Sequence, residues 1–178
     1  MKNTTIFIAL LFLIGCTTEV EYIPIPQRPI PTELMNEKEN AMVVITNQAR
    51  VSIGLQKYKT SLSLYHIAKN RVLNMVEKDS LSHNGFYSSY LFSGALYYGE
   101  SVSYGYLTAE SNVQAFRISA DHWPMFISSV YEYIAIACVN EYAVVLVARW
   151  RNYNGKKELE IREVTNGNIS TIEINYQP

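Results

Sequence analysis

Tyr133-Ile-Ala-Ile-Ala-Cys-Val139 and Tyr142-Ala-Val-Val-Leu-Val-Ala-Arg149 flank the pair Asn140-Glu141. Two apolar runs of strand length, rich in β-branched and aromatic residues and parted by two polar ones, predict a β-hairpin with a tight turn. Further on, Asn154-Gly155 marks another turn, and Glu158–Val164 and Ser170–Tyr176 flank Thr-Asn-Gly-Asn, a second hairpin signal. The last third of the chain therefore reads as strands.

The first half reads as helices. A helix is expected to start at Thr32 or its neighbourhood and run to about Arg50, with Glu33 in its first turn and Gly54 ending the segment. A second helix is expected over about 61–78. There Tyr65, Ala68, Val72 and Met75 recur at three- to four-residue spacing and form an apolar face. His66, Asn70 and Asn74 lie on another face, so His66 is expected to be solvated. Residues 79–107 read as a long loop rich in Ser, Gly and Tyr. Its tyrosines, Tyr87, Tyr90, Tyr97, Tyr98, Tyr104 and Tyr106, are expected mainly to pack the loop; lining a ligand groove is the other reading. Thr108 caps a third, short helix, with Val113 and Phe116 facing inward and Pro124 discouraging its continuation. Helices first and strands last give an α+β class, with helices packed on an antiparallel sheet.

The N-terminus carries a different signal. Lys2 precedes an apolar run from Ile6 to Ile14, and Leu13-Ile14-Gly15-Cys16 closes it. A basic start, a short apolar stretch and a small residue at the cut are the layout of a secretory signal. The run is too short for a spanning helix, which needs ~20 residues. Leu-Ile-Gly-Cys resembles the bacterial lipobox. The resemblance implies that residues 1–15 are removed and that Cys16 is acylated, so the membrane becomes a partner through the lipid anchor. Residues 16–32 form the expected tether, with four prolines between positions 24 and 31 favouring an extended conformation. That segment looks like the proline-rich stalk of phage outer-membrane spanin lipoproteins. Residues 33–178 are left as a single domain, long enough for a real core.

Charge excludes one class of partner. Fifteen Lys and Arg against sixteen Asp and Glu, with no basic stripe, leave nothing to grip nucleic acid. With Cys16 lipidated, Cys138 has no disulfide partner, and its apolar setting predicts a buried, inert thiol.

Three titratable residues punctuate the centre: His83 in Leu-Ser-His-Asn-Gly, Glu100 in Tyr-Gly-Glu-Ser and His122 in Ser-Ala-Asp-His-Trp. Two imidazoles and a carboxylate could bind a divalent metal such as zinc or share protons across a pocket. They are far apart in sequence and form no local metal motif. Ser119, Asp121 and His122 are too close in sequence to imply a serine hydrolase triad, and no Gly-x-Ser-x-Gly elbow is present.

The order of segments over residues 41–149 resembles the CAP superfamily, the cysteine-rich secretory, antigen 5 and pathogenesis-related proteins, and in particular its bacterial members. Asn47-Gln-Ala-Arg50 with Gly54-Leu55 is similar to the opening helix and its exit, and Leu64, Ala68, Arg71 and Met75 match the second helix. Leu81-Ser82-His83 resembles the Phe-Ser-His element, and Tyr98-Gly99-Glu100-Ser101 the Gly-Glu-Asn box. Gly105 and Thr108 match the segment beyond. Phe116 with Ser119-Ala-Asp-His122 resembles the Trp-x-x-Ser-Pro-Gly-His box, and Tyr142–Arg149 the late strand. Ser101, Phe116 and Ala120-Asp121 depart from the family pattern, as does Trp123-Pro124-Met125-Phe126. Asp121 adds a carboxylate beside His122 and is expected to face water.

The resemblance implies an α-β-α sandwich with a cleft where His83, Glu100 and His122 converge, and some members hold zinc or another divalent ion there. Together with the lipobox resemblance, it implies a lipid-anchored module of the cell envelope; Thr17 after Cys16, by the sorting pattern of such lipoproteins, implies the outer membrane facing the periplasm in a Gram-negative host. Such a module binds a small ligand or an envelope polymer, and no catalytic residue is assigned. A metal-assisted hydrolase of peptide or cell-wall bonds and a phage-encoded envelope lipoprotein are the alternatives.

Overall fold

A computed structural model describes residues 28–150 together with the backbone of 159–166 and 169–176. Leader residues 1–15, Cys16, the tether as far as Gln27 and the Asn154-Gly155 turn lie outside the described residues. After a 3-10 turn at Thr32–Leu34, the elements are α1 (Glu37–Ser52), β1 (Lys59–Thr60), α2 (Leu62–Glu77), α3 (Phe86–Ser93), β2 (Tyr97–Tyr104), α4 (Ala109–Ile118), α5 (Trp123–Phe126), β3 (Tyr133–Val139), β4 (Tyr142–Arg149), β5 (Leu159–Asn166) and β6 (Ile169–Tyr176).

The hairpin expected around Asn140-Glu141 forms as read, with Val139 opposite Tyr142 and Asn140 at φ 52°. It is the centre of a four-stranded sheet in the order β1-β3-β4-β2. The sheet is mostly antiparallel; β1, a two-residue strand that the sequence did not announce, runs parallel to β3. Strands β5 and β6 pair with each other in a two-stranded sheet of their own, Leu159 opposite Tyr176 and Asn166 opposite Ile169. The expected C-terminal hairpin is thus present as a separate ladder.

Side-chain alternation along β2 and β4 assigns the layers. On one face, Glu100 meets Arg71 of α2, and Tyr142 donates to Asp79 just beyond α2 at 2.9 Å. On the other, Ser103 donates to Asn112 of α4 at 2.8 Å, and Ser101 and Gly99 face Met125 of α5. Cys138 lies against Met42 of α1 on that same side. The result is an α-β-α sandwich, with α2 and α3 on one side and α1, α4 and α5 on the other. Ile134, Ile136, Val144, Val145, Leu146 and Val147 are fully buried between the layers.

Two stretches differ from the reading of the sequence. The first true helix begins at Glu37, and Thr32–Leu34 is only a 3-10 turn. Asn36 is the better cap: its side chain accepts from Glu39 N, and the Glu39 carboxylate accepts from Asn36 N, both at 2.9 Å, a reciprocal capping box. The span read as one long loop contains α3 and β2. Left-handed Gly85 (φ 92°) and Gly94 (φ 59°) bracket α3. The Ser- and Gly-containing β2 has weak strand propensity and is a strand because all eight of its residues pair with β4. α4 ends at Ile118, ahead of Pro124; Pro124 instead sits in the first turn of α5, where a missing N–H costs nothing.

Three buried protons make the fold sensitive to alkali. Burial pushes the Cys138 thiol up to about 12, and burial, with the Glu39 carboxylate adding to it, pushes Tyr65 up to about 12. Tyr58 also rises to about 12 through burial, against the opposing charge of Arg50. Each group is neutral while protonated, so the unfolded chain loses these protons at lower pH than the native one. Their contribution is complete below the unfolded values and is lost as pH rises through the folded ones. The melting temperature should therefore hold to about pH 9 and fall steadily above it. Near-UV circular dichroism between pH 8 and 11 measures this, and a flat profile would contradict it.

Candidate functional site

The site is built from α2 outward. Arg71 stands in the apolar stripe of that helix, beside Ala68, Val72 and Met75, and its side chain is only 7% exposed. A guanidinium there needs a fixed anionic partner and full hydrogen bonding. Glu100 supplies the first, with its side chain fully buried on β2. The contact is bidentate: Arg71 Nε donates to Oε2 at 2.8 Å and Nη2 to Oε1 at 2.9 Å. That geometry adds direction as well as strength. Hydrogen bonding to Glu100 raises the Arg71 pKa, with burial opposing it.

The remaining Arg71 protons organise the turn before α3. Nη2 donates to the Ser82 carbonyl at 3.1 Å, and Nη1 donates to the Asn84 carbonyl. Between those two carbonyls sits His83. Its Nδ1 lies 3.0 Å from Glu100 Oε1, and the side chain is 55% exposed. A carboxylate only accepts, so Nδ1 carries the proton and Nε2 faces outward as an acceptor. Gly85 is required beside this turn for two reasons. Its φ of 92° suits glycine, and a Cβ there would stand 2.9 Å from Arg71 Nη1.

Tyr98 closes the inner wall. Its ring packs on Phe86 at 5.4 Å and Tyr90 at 5.9 Å between centroids. Its buried hydroxyl lies beside the Ser89 side chain, whose own hydroxyl donates to the Gly85 carbonyl at 2.9 Å. Burial and the Glu100 charge raise the Tyr98 pKa well above the usual phenol value. The tyrosines of this stretch divide accordingly: Tyr90 and Tyr98 pack, whereas Tyr87 and Tyr97 are exposed.

His122 is placed elsewhere. It lies between α4 and α5, with Nδ1 2.7 Å from the Ser119 hydroxyl and its ring edge-on to buried Phe116 at 5.6 Å. Met125, two residues inside α5, faces Gly99 and Ser101, the opposite side of β2 from Glu100. The hydrogen bonds of the three residues expected to converge join His83 to Glu100 and His122 to Ser119. Asp121 is exposed, as expected, and so is His66. Among the described residues no three His, Cys, Asp or Glu side chains form a group that could hold a metal ion. A guanidinium already on both Glu100 oxygens also suits a divalent cation poorly. Arg71 is the site residue that the sequence reading did not single out as functional.

The sequence profile of the cysteine-rich secretory protein family, CAP, matches residues 44–158. The chain belongs to the CAP family. Solved CAP-like structures show the same fold. A cysteine-rich secretory protein from Staphylococcus aureus superposes with a TM-score of 0.60 at 16% identity, covering 67% of this chain and 40% of that one. An extracellular protein containing an SCP domain from Bacillus anthracis gives 0.59 at 14% identity, covering 68% and 45%. The chain thus spans less than half the length of these two proteins. An outer surface protein from Borrelia burgdorferi gives 0.60 at 15% identity, covering 71% of this chain and 100% of that one. No curated protein matches the sequence. In this CAP domain, the boxes read around His83 and Glu100 are the ones that α2 and β2 bring into contact.

Proposed function

We propose that this CAP domain is a lipid-anchored binding module of a bacterial cell envelope, which holds its ligand at His83 without converting it. The observation that carries this reading is the locked Glu100. Both carboxylate oxygens are engaged by Arg71, and the oxygen shared with His83 fixes the imidazole with Nε2 outward. Such a carboxylate holds another group in place and is not free to shuttle a proton or activate water. Among the described residues no hydroxyl or thiol is hydrogen-bonded to the His83 ring, and an imidazole 55% exposed gives little shelter from water. What it offers is an oriented acceptor for a hydroxyl or ammonium donor, the groups that envelope glycans and peptides carry.

Leu13-Ile14-Gly15-Cys16 supports the anchor, and the outer surface and extracellular proteins among the structural neighbours support an envelope setting. The test uses the full chain expressed in a bacterium fed an alkyne fatty acid. Label should enter the protein and be lost in Cys16→Ala. The purified protein should be retained on envelope glycan-peptide polymer, and His83→Ala should weaken that retention about tenfold, the worth of one good hydrogen bond. Retention unaffected by His83→Ala would contradict the reading. So would zinc-dependent release of peptide or sugar fragments that His83→Ala abolishes; that result would establish a metal-assisted hydrolase.

A further inference from the structure

Helix α3 is turned inside out relative to its neighbours. Ser93 is the only residue of the helix that is buried, while Tyr87 is 68%, Leu91 58% and Phe92 76% exposed. Leu96, just past its C-cap, is exposed as well. Tyr87 and Leu91 stand one turn apart, with Phe92 alongside, so they form one continuous surface. Single exposed apolar residues need no explanation, but a contiguous aromatic and aliphatic patch marks an interaction surface.

Two further features select the occupant. From Asn84 to Gly99 the chain has no charged residue, and Glu100, which follows, is buried and neutralised by Arg71. A protein partner of ordinary polarity would be met by a polar and charged rim; this stretch brings no charge to one, and besides its tyrosines only Asn84 and three serines. It offers aliphatic side chains and tyrosines, which combine an apolar ring with a polar tip and settle at membrane–water boundaries. The chain also enters the domain on this same layer, where the Arg28 carbonyl accepts from Leu62 N at 2.8 Å, at the start of α2. α2 is about 24 Å long, and the twelve residue steps from Cys16 to Arg28 reach no more than ~40 Å. An anchor at Cys16 therefore has enough chain to lay the α2–α3 layer on the bilayer, and too little to carry it far away.

We infer that α3 is a bilayer-docking surface, with Tyr87, Leu91, Phe92 and Leu96 entering the headgroup–acyl boundary of an uncharged membrane interface. No described helix is long and apolar enough to cross a membrane, so the contact is interfacial. With no basic residue in the patch, it draws nothing from anionic lipid. His83 sits immediately before α3, its carbonyl accepting from Phe86 N at 2.9 Å, so docking would hold the His83–Glu100 site close to the bilayer. The orientation, though not the patch, rests on the anchored reading.

The test separates the two. Residues 16–178 are made without acylation, which keeps every residue of the described core, all within 28–150. This form is floated with neutral phosphatidylcholine vesicles at low and high salt. The expected result is flotation that is equal at both salts, is not increased by phosphatidylglycerol, and falls at least about tenfold in Leu91→Ser/Phe92→Ser. The melting temperature of that variant should stay within a few degrees of wild type. Absence of flotation overturns the inference. This holds whether the protein elutes as a dimer that the variant splits, which makes a second copy the occupant, or as a monomer, the result expected if the C-terminal hairpin covers α3. Flotation that the variant leaves unchanged overturns it too. Failure of fatty-acid labelling at Cys16 would instead remove the anchor and leave the flotation result standing.

Discussion

Arg71→Met should destabilise the domain by about 3–5 kcal/mol, because it leaves the fully buried Glu100 carboxylate without its cation. The loss has a second component. Arg71 also ties the Ser82 and Asn84 carbonyls, so the turn that carries His83 should lose its fixed geometry. The double substitution Arg71→Met/Glu100→Leu should recover most of the stability, since an apolar pair of similar volume removes the stranded charge. It should not recover ligand retention, because His83 then has no carboxylate to orient it. Urea unfolding of the two single variants and the double variant completes the cycle. A loss below about 1 kcal/mol for Arg71→Met would show that water reaches Glu100 and that the pair is no more than a surface contact.

The next largest effect is expected at Glu39, which serves the fold and not the site. Its fully buried carboxylate accepts from Cys138 N at 2.6 Å, Tyr65 Oη at 3.0 Å and Asn36 N at 2.9 Å. One side chain thus closes the α1 cap, ties α1 to α2 and satisfies β3 beyond the short reach of β1. Glu39→Ala strands the buried Cys138 amide and opens the capping box, a loss of about 2–4 kcal/mol. Glu39→Gln retains an acceptor oxygen and should cost less. Lys69, 3.8 Å away and 36% exposed, should matter little, with Lys69→Ala costing less than about 1 kcal/mol. Equal losses for the Ala and Gln variants would mean that charge, not hydrogen bonding, is what the site requires.

The sequence was most legible where one pattern acts alone. The β3–β4 hairpin carries unbroken apolar runs and a two-residue turn, and α2 carries a clear stripe at helical spacing; both formed where expected. α3 and β2 were illegible for opposite reasons. α3 buries almost none of its apolar residues, so its pattern does not report a core. β2 has no strand signal of its own and is a strand only because β4 pairs with it along its whole length. Missing β2 concealed the division of the site: once residues 97–104 are a strand, Glu100 and Gly99 must point to opposite layers. The pairing of His83 with Glu100 was readable from the family boxes. Arg71 had a signal that could have been used, a guanidinium within the apolar stripe of α2, which demands a buried acid nearby. Asn36 and Glu39 likewise spell a capping box three residues apart.

The account turns on His83 being fixed by a carboxylate that Arg71 already holds, separately from His122. Long-range ¹H–¹⁵N spectra of the histidine rings in the full chain, recorded with and without one equivalent of zinc, test this most directly. The neutral His83 ring should carry its proton on Nδ1, and zinc should not move the His83 and His122 rings together. A His83 ring protonated at Nε2 alone, or both rings shifting in step at one equivalent of zinc, would contradict the account and restore a shared metal centre.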